Sequence, residues 1–455
     1  MPPDDEEPAT LTLEELAERA GEARECLAEW RALGLLGSTD GSTFTLLDVA
    51  RARLIRFCLG SGVHLDTIVR AEAAEPGFLD HYLEQLFPAG PQRTYSIDEA
   101  AAQVPLELAT ARRLHHVSGT PWLGQRIVKE DIEVLRGWKA ALEQGLPEDA
   151  LFQLVRVYAD SLGRIAEAEA RLFHFYAHER MREAGLSGQA LREQTKRASE
   201  AMRRLIEPAL LYFHRKGMAA AICEDALLHL AQHSDAPDRR DVPAQLRLAI
   251  AFLDLASFTS MTESMGDAAA AEVVSRFSEL VRDVVVSHHG RLVEQIGDAF
   301  MLVFPEAGAA VSCLLGIGER AAQEDRFPAL RGGIHIGPVL YREGGYVGTN
   351  VNIASRIASE ARRHQLLVSA EVRRDVSLPG IDFVPLGKRA LKGLSDELEL
   401  FEARLRSDAR GTRMTDPVCG MELTEIGVAA RLSLEGRDVA FCSETCLRRY
   451  LEGRR

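Results

Sequence analysis

Asp254 and Asp298 are the residues of this chain whose types and settings best suit chemistry. The apolar run Leu248-Ala-Ile-Ala-Phe-Leu253 is short and tightly bounded, so it reads as a buried strand that delivers Asp254 to a sheet end near solvent. Helical spacing runs from about Asp267 to His289, and Arg291 to Phe304 reads as a hairpin turning at Gly297-Asp298. Gly297 supplies the positive φ of such a turn, and Asp298 projects from its tip. If the hairpin pairs beside the first strand the two acids converge, and convergent carboxylates bind hard divalent cations such as Mg²⁺ or Mn²⁺.

Five ordered motifs surround these acids: Phe-Leu-Asp-Leu-Ala-Ser-Phe-Thr from 252, Ile-Gly-Asp from 296, Arg-Gly-Gly-Ile-His from 331, Val-Asn-Ile-Ala-Ser-Arg from 351 and Leu-Lys-Gly-Leu from 391. Together they resemble the class III nucleotide cyclases over roughly residues 246 to 403. The resemblance implies attack of a ribose 3′-oxygen on the α-phosphorus of a nucleoside triphosphate, with pyrophosphate leaving and two cations held by Asp254 and Asp298. It also implies that Asn352 positions the ribose and Arg356 stabilises the α-phosphate, while Arg331 and Lys392 hold the outer phosphates. Asn352 and Arg356 lie four apart, on one face of a helix. Family catalytic domains are dimers, with the aspartates and Arg331 of one chain facing Asn352, Arg356 and Lys392 of the other, so a homodimer with two complete sites is expected. Ser257 departs from the pattern, which commonly has glycine there.

The resemblance extends to the base. Adenylate cyclases of the family commonly carry Lys and Asp where this chain has Glu294 and Gly345. A carboxylate accepts from the N1–H and amine of guanine but leaves adenine N1 unpaired, so GTP is expected to serve at least as well as ATP.

Around this centre, a net charge of −14 argues against wholesale binding to nucleic acid or an anionic membrane. No apolar run approaches the ~20 residues that span a bilayer, and the acidic start is unlike a signal peptide, so a cytoplasmic protein is expected. The length suggests about three domains.

Leu11 to Gly21 is echoed by Tyr95 to Pro105, and each is followed by a second helix, a glycine break, a short extended piece and a helix opening at Asp48 or Asp131. Both copies, 1–90 and 91–147, resemble MerR-type winged helix-turn-helix domains. The acidic helix Glu22 to Arg31 is poorly suited to phosphate; copy two offers Arg112, Arg113, His115 and His116; contact with protein is favoured over DNA. Residues 148–240 read as a helical regulatory region, broken near Gly185 and at Pro208, and resemble regions that precede bacterial adenylate cyclases. The pairs His174/His178 and His229/His233 share helical faces there. A linker at 234–243 leads to the cyclase domain at 241–403, an α+β ferredoxin-like palm with helices on one face. A second linker at 404–413 precedes residues 414–455, which resemble a YHS or TRASH-type metal domain. Its Cys419, Cys442 and Cys446 suit zinc or copper, with Asp416, another acid, water or a second chain as fourth ligand. The fold expected is therefore multidomain: all-α winged-helix and regulatory regions, an α+β palm and a small cysteine-bearing domain.

Overall fold

The computed structural model describes residues 10–37, 43–86, 94–118, 126–232, 245–406, 414–434 and 437–452. Two compact units divide at Asp238/Arg239. His233 and the linker residues 234–243 and 407–413 lie outside the described residues, as does the glycine break at Gly119.

The first unit is built on the sequence repeat. In copy one, α1 (Leu13–Ala20) and α2 (Arg24–Ala32) are followed by a Leu11–Phe44 bridge and α3 (Leu46–Gly60). The helices α4 (Leu65–Ala74) and α5 (Phe78–Leu86) complete it. In copy two, β1 (Tyr95–Ser96), α6 (Ile97–Gln103), α7 (Leu108–Ser118), β2 (Arg126–Ile127) and α8 (Lys129–Glu143) repeat the order, with β1 and β2 antiparallel. The echoed segments start alike for a local reason: Thr12 with Glu15, and Ser96 with Glu99, form capping boxes that satisfy orphan N–H groups. On the surface of copy two Arg112 pairs with Asp98, and Arg113 lies 3.8 Å from the centre of the Phe152 ring.

α9 (Glu148–Phe173) passes through a π-helical turn at His174–His178 into α10 (Glu179–Glu183), and α11 runs from Gly188 to Gln232. The break expected at Gly185 is present, at φ 89°. The one expected at Pro208 is not, because α11 continues through it. Proline leaves the carbonyl four residues earlier without its donor, and Arg204 is exposed, so water can serve that group.

The second unit opens with β3 (Gln245–Leu255), α12 (Phe258–Met265) and α13 (Asp267–Ser287), then the hairpin β4 (Arg291–Ile296) and β5 (Ala299–Phe304). α14 (Ala307–Ala321), β6 (Phe327–Pro328), β7 (Leu330–Arg342), β8 (Gly345–Val347) and α15 (Thr349–Glu360) follow, then β9 (Leu366–Ser369), α16 (Ala370–Asp375), β10 (Ile381–Arg389) and β11 (Leu398–Leu405). The sheet order is β10-β11-β9-β7-β3-β5-β4, with β8 beside β7. All its pairs are antiparallel except β7 with β9.

Helices were expected on one face only, and here the structure differs. Ala249, Ala251 and Leu253 pack into a core with Phe277, Leu314 and Val372 of α13, α14 and α16. Leu248 and Ile250 point the other way and share a cluster with Ala354 of α15. The run Leu248–Leu253 of β3 is therefore apolar at every position because both of its faces are covered.

The chain ends with β12 (Met414–Thr415), β13 (Met421–Leu423), β14 (Ala430–Leu434), β15 (Arg437–Phe441) and α17 (Glu444–Glu452). β13 pairs with β6, and Cys419, Met421, Phe441 and Cys446 belong to the same buried cluster as Phe277 and Phe327.

Candidate active site

The turn at Gly297 (φ 62°) and the pairing of β5 with β3 bring Asp298 to the end of β3, where Asp254 lies directly opposite Arg331 on β7. Arg331 donates to Asp254 Oδ2 from Nε at 2.9 Å and Nη2 at 2.5 Å. Asp298 is half-buried, and burial, together with a hydrogen bond to Asp254 and the charge of that neighbour, pushes its carboxyl up to about 7. The two adjacent carboxylates form a hard, all-oxygen donor set suited to Mg²⁺ or Mn²⁺. Arg331 stands beside the aspartates, with its fork engaged by Asp254.

The Arg-Gly-Gly-Ile-His motif gains a structural reason. A Cβ on Gly333 would lie 2.2 Å from the Ala358 nitrogen, so glycine is what lets α15 sit against β7. His335 bridges Ser369 Oγ and Asn350 Oδ1, each at 2.9 Å, and so ties the start of α15 to the sheet. α15 buries Ala354, Ile357 and Ala358 and exposes Asn352 and Arg356 together, as the four-residue spacing requires. Lys392 is exposed after β10, Glu294 is exposed on the edge strand β4, and Gly345 opens β8 opposite Arg342. Within one protomer the structure brings together Asp254, Asp298 and Arg331, whereas Asn352, Arg356 and Lys392 are presented to solvent.

The thiols form a second donor set. Cys442 Sγ lies 3.4 Å from Cys419 Sγ and 3.6 Å from Cys446 Sγ. A tetrahedral ion with metal–sulfur bonds of ~2.3 Å needs sulfurs ~3.8 Å apart, so the spacing fits. The hydrogen bond between them holds the Cys442 thiol below its usual range and drives Cys419 well above it, and burial pushes Cys446 up to about 12. Three thiolates could coexist there only around a cation. Asp416 is the fourth member, with ligand atoms of all four within 4.8 Å of one another. Sequence reasoning left its part open; in the structure it is fully buried, Oδ1 accepting from Val418 N and Cys419 N and Oδ2 from Cys442 N.

Two residues were missed. Arg363 donates from Nη2 to the Gly420 carbonyl (2.5 Å) and from Nη1 to Ser257 Oγ (3.3 Å). Glu422, buried, meets His364 Nε2 at 2.5 Å. The only available signal was Ser257 itself, whose φ of 68° explains why glycine is the usual occupant.

Residues 243–402 match the adenylate and guanylate cyclase catalytic domain, and 33–214 match the adenylate cyclase regulatory domain. A pH-sensitive adenylate cyclase of Mycobacterium tuberculosis is 26% identical over 407 residues, 85% of this chain and 96% of its own. An adenylate cyclase of Streptomyces griseus is 28% identical over 290 residues, 63% of this chain and 69% of its own. An adenylate cyclase of Streptomyces coelicolor is 30% identical over 318 residues, 68% of this chain and 80% of its own. Among the described residues no helix is long and apolar enough to cross a membrane. With paired acids at the sheet end and similarity running through both the regulatory and the catalytic regions, the chain belongs to the adenylate cyclase family and is an adenylate/guanylate cyclase.

Proposed function

We propose that the enzyme converts ATP or GTP to the cyclic nucleotide and pyrophosphate at sites shared between two copies of the chain. The observation that carries this is the Asp254–Asp298 pair: two half-buried carboxylates brought together at the sheet end call for divalent cations at the place where a triphosphate must be neutralised. Bound there, two Mg²⁺ or Mn²⁺ ions would acidify the ribose 3′-hydroxyl and offset charge on the phosphates. The protein's own part is positional. Arg331, released from Asp254, offers a planar fork to phosphate oxygens. Asn352 and Arg356 face outward from α15, which suits completion of the partner's site across a two-fold axis, with Lys392 supplying a point charge. Glu294 and Gly345 are the residues we assign to reading the base.

The N-terminal unit is proposed to regulate turnover through protein contact rather than DNA. The net charge of −14 and the acidic helix Glu22 to Arg31 support this, since phosphate neutralisation requires an excess of cations.

The test is incubation of purified protein with each nucleotide and Mn²⁺ or Mg²⁺, alongside Asp254→Ala and Asp298→Ala. Each variant should lose turnover while remaining folded; cyclic nucleotide formation near the unmodified rate by either would overturn the cation assignment.

A further inference from the structure

α12 follows directly on the Asp254 loop and meets the C-terminal segment at both ends, at its start by way of Arg363 from the turn between α15 and β9. At its start, Ser257 is the N-cap residue, at φ 68° and ψ 26°, a left-handed conformation unfavourable for any residue with a Cβ. Its hydroxyl accepts from Arg363, which at the same time donates to the carbonyl of Gly420, the neighbour of Cys419. Gly420, itself at φ 75°, is so close that a Cβ there would lie 2.9 Å from Ser257 Cβ and 2.8 Å from Arg363 Nη1. In the last turn of α12 the Glu263 carbonyl accepts from Arg449 Nη1 at 2.6 Å. Arg449 lies on α17, one helical turn from Cys446.

The two grips come from separate pieces of chain, the Cys419–Gly420 loop and α17. They meet at the thiol cluster, where Cys419 and Cys446 both approach Cys442. Without an ion they are joined there by thiol contacts and by the Asp416 carboxylate, which accepts from both Cys419 N and Cys442 N. A segment of this size has little core of its own, and an ion coordinated by all four donors would tie both pieces of chain at one point, where a single disulfide would join only two of the thiols.

We propose that Asp416, Cys419, Cys442 and Cys446 form a regulatory site for a thiophilic divalent cation such as zinc, whose occupancy fixes α12 and the left-handed turn at Ser257, and thereby the setting of the Asp254 loop. The proposal deepens the cyclase reading, on which its consequence for turnover rests. Its structural core, the link from thiol cluster to α12, is separable from that reading.

The experiment is hydrogen–deuterium exchange on the full chain without nucleotide or Mg²⁺, comparing chelator-stripped protein with protein given one equivalent of Zn²⁺. Amides of residues 256–266 should exchange on the order of 5- to 30-fold more slowly with zinc, the range expected for restraining one strained turn. Co²⁺ substitution should give a thiolate-to-cobalt absorption band at one equivalent per chain. Arg363→Ala, which leaves all four donors in place, should keep the band and lose most of the slowing at 256–266. Ser257→Gly should also keep the band and show a smaller response, because glycine occupies the left-handed region without strain. Asp254→Asn, inactive on the cyclase reading, should retain the full exchange response, so loss of turnover and loss of coupling are separate results. The proposal is overturned by an absent cobalt–thiolate band, by binding with unchanged exchange at 256–266, or by an Arg363→Ala protein that responds like the unmodified one.

Discussion

Gly333→Ala should disable the enzyme without touching any residue assigned to chemistry. The new Cβ would lie 2.2 Å from Ala358 N, 2.6 Å from Ala358 Cα and 2.7 Å from Ile357 C, all backbone atoms of α15 that no rotamer change can clear. Restoring ordinary contact at ~3.5 Å requires α15 to retreat by roughly 1.3 Å. Overpacking of this kind costs ~1–3 kcal/mol of stability, visible as a lowered urea midpoint. The larger effect should be on rate, because Asn352 and Arg356 ride on α15 and a displacement of ~1 Å from productive geometry costs about 100-fold. Turnover at saturating nucleotide is the assay. Gly308→Ala in α14 is the control, since its Cβ would lie 3.8 Å from Leu378 Cδ1 and alanine favours a helix by ~0.5–1 kcal/mol. A Gly333→Ala enzyme with kcat within twofold of the parent would refute the claim that close approach of α15 to β7 sets the site.

Mixing Asp254→Ala with Asn352→Ala chains should restore about a quarter of full activity, because half of the dimers are mixed and each mixed dimer has one intact site; no recovery from exchanged dimers would count against a shared site. Glu294→Lys with Gly345→Asp should shift preference towards ATP, and a clear ATP preference in the unmodified enzyme, measured as kcat/KM for both nucleotides, would show that this pair does not read the base. Because the Asp298 carboxyl is raised from 3.8 to about 7, its proton favours the cation-free fold most below pH ~4, and that contribution fades as pH rises to 7. A cation bound by Asp298 must displace that proton, so Mn²⁺ affinity should rise about tenfold per unit between pH ~5 and ~7 and then level off; calorimetry finding flat affinity over that range would contradict the raised Asp298 carboxyl.

The sequence was most legible where local rules govern. The Gly297 turn, the apolar run before Asp254 and the spacing of Asn352 and Arg356 each carry their geometry within a few residues. The thiol cluster was legible because cysteine has few other uses in such a segment. Long-range choices were not. Nothing near Leu248 says which helix covers it, so α15 on the second face was missed. Asp416 looked like one candidate ligand among several until both its oxygens were seen accepting backbone N–H groups from two chain segments. Arg363 belongs to no motif, and its contact with Ser257 and Gly420 exists only because residues far apart in sequence meet.

The shared core beneath the thiol cluster has a consequence for truncation. The match to the catalytic family stops at residue 402, yet Glu422 completes a strand ladder with Phe327, and Met421 and Phe441 fill the same interior as Phe277. A tail merely tethered to an enzyme can be cut away at its linker without disturbing the enzyme's core. This one cannot leave without stripping the backbone partner from β6 and wetting buried aromatic surface. Substitutions at Phe327, Arg363 or Ser257 are therefore answerable to residues of the tail, although only the first stretch carries the motifs of a cyclase.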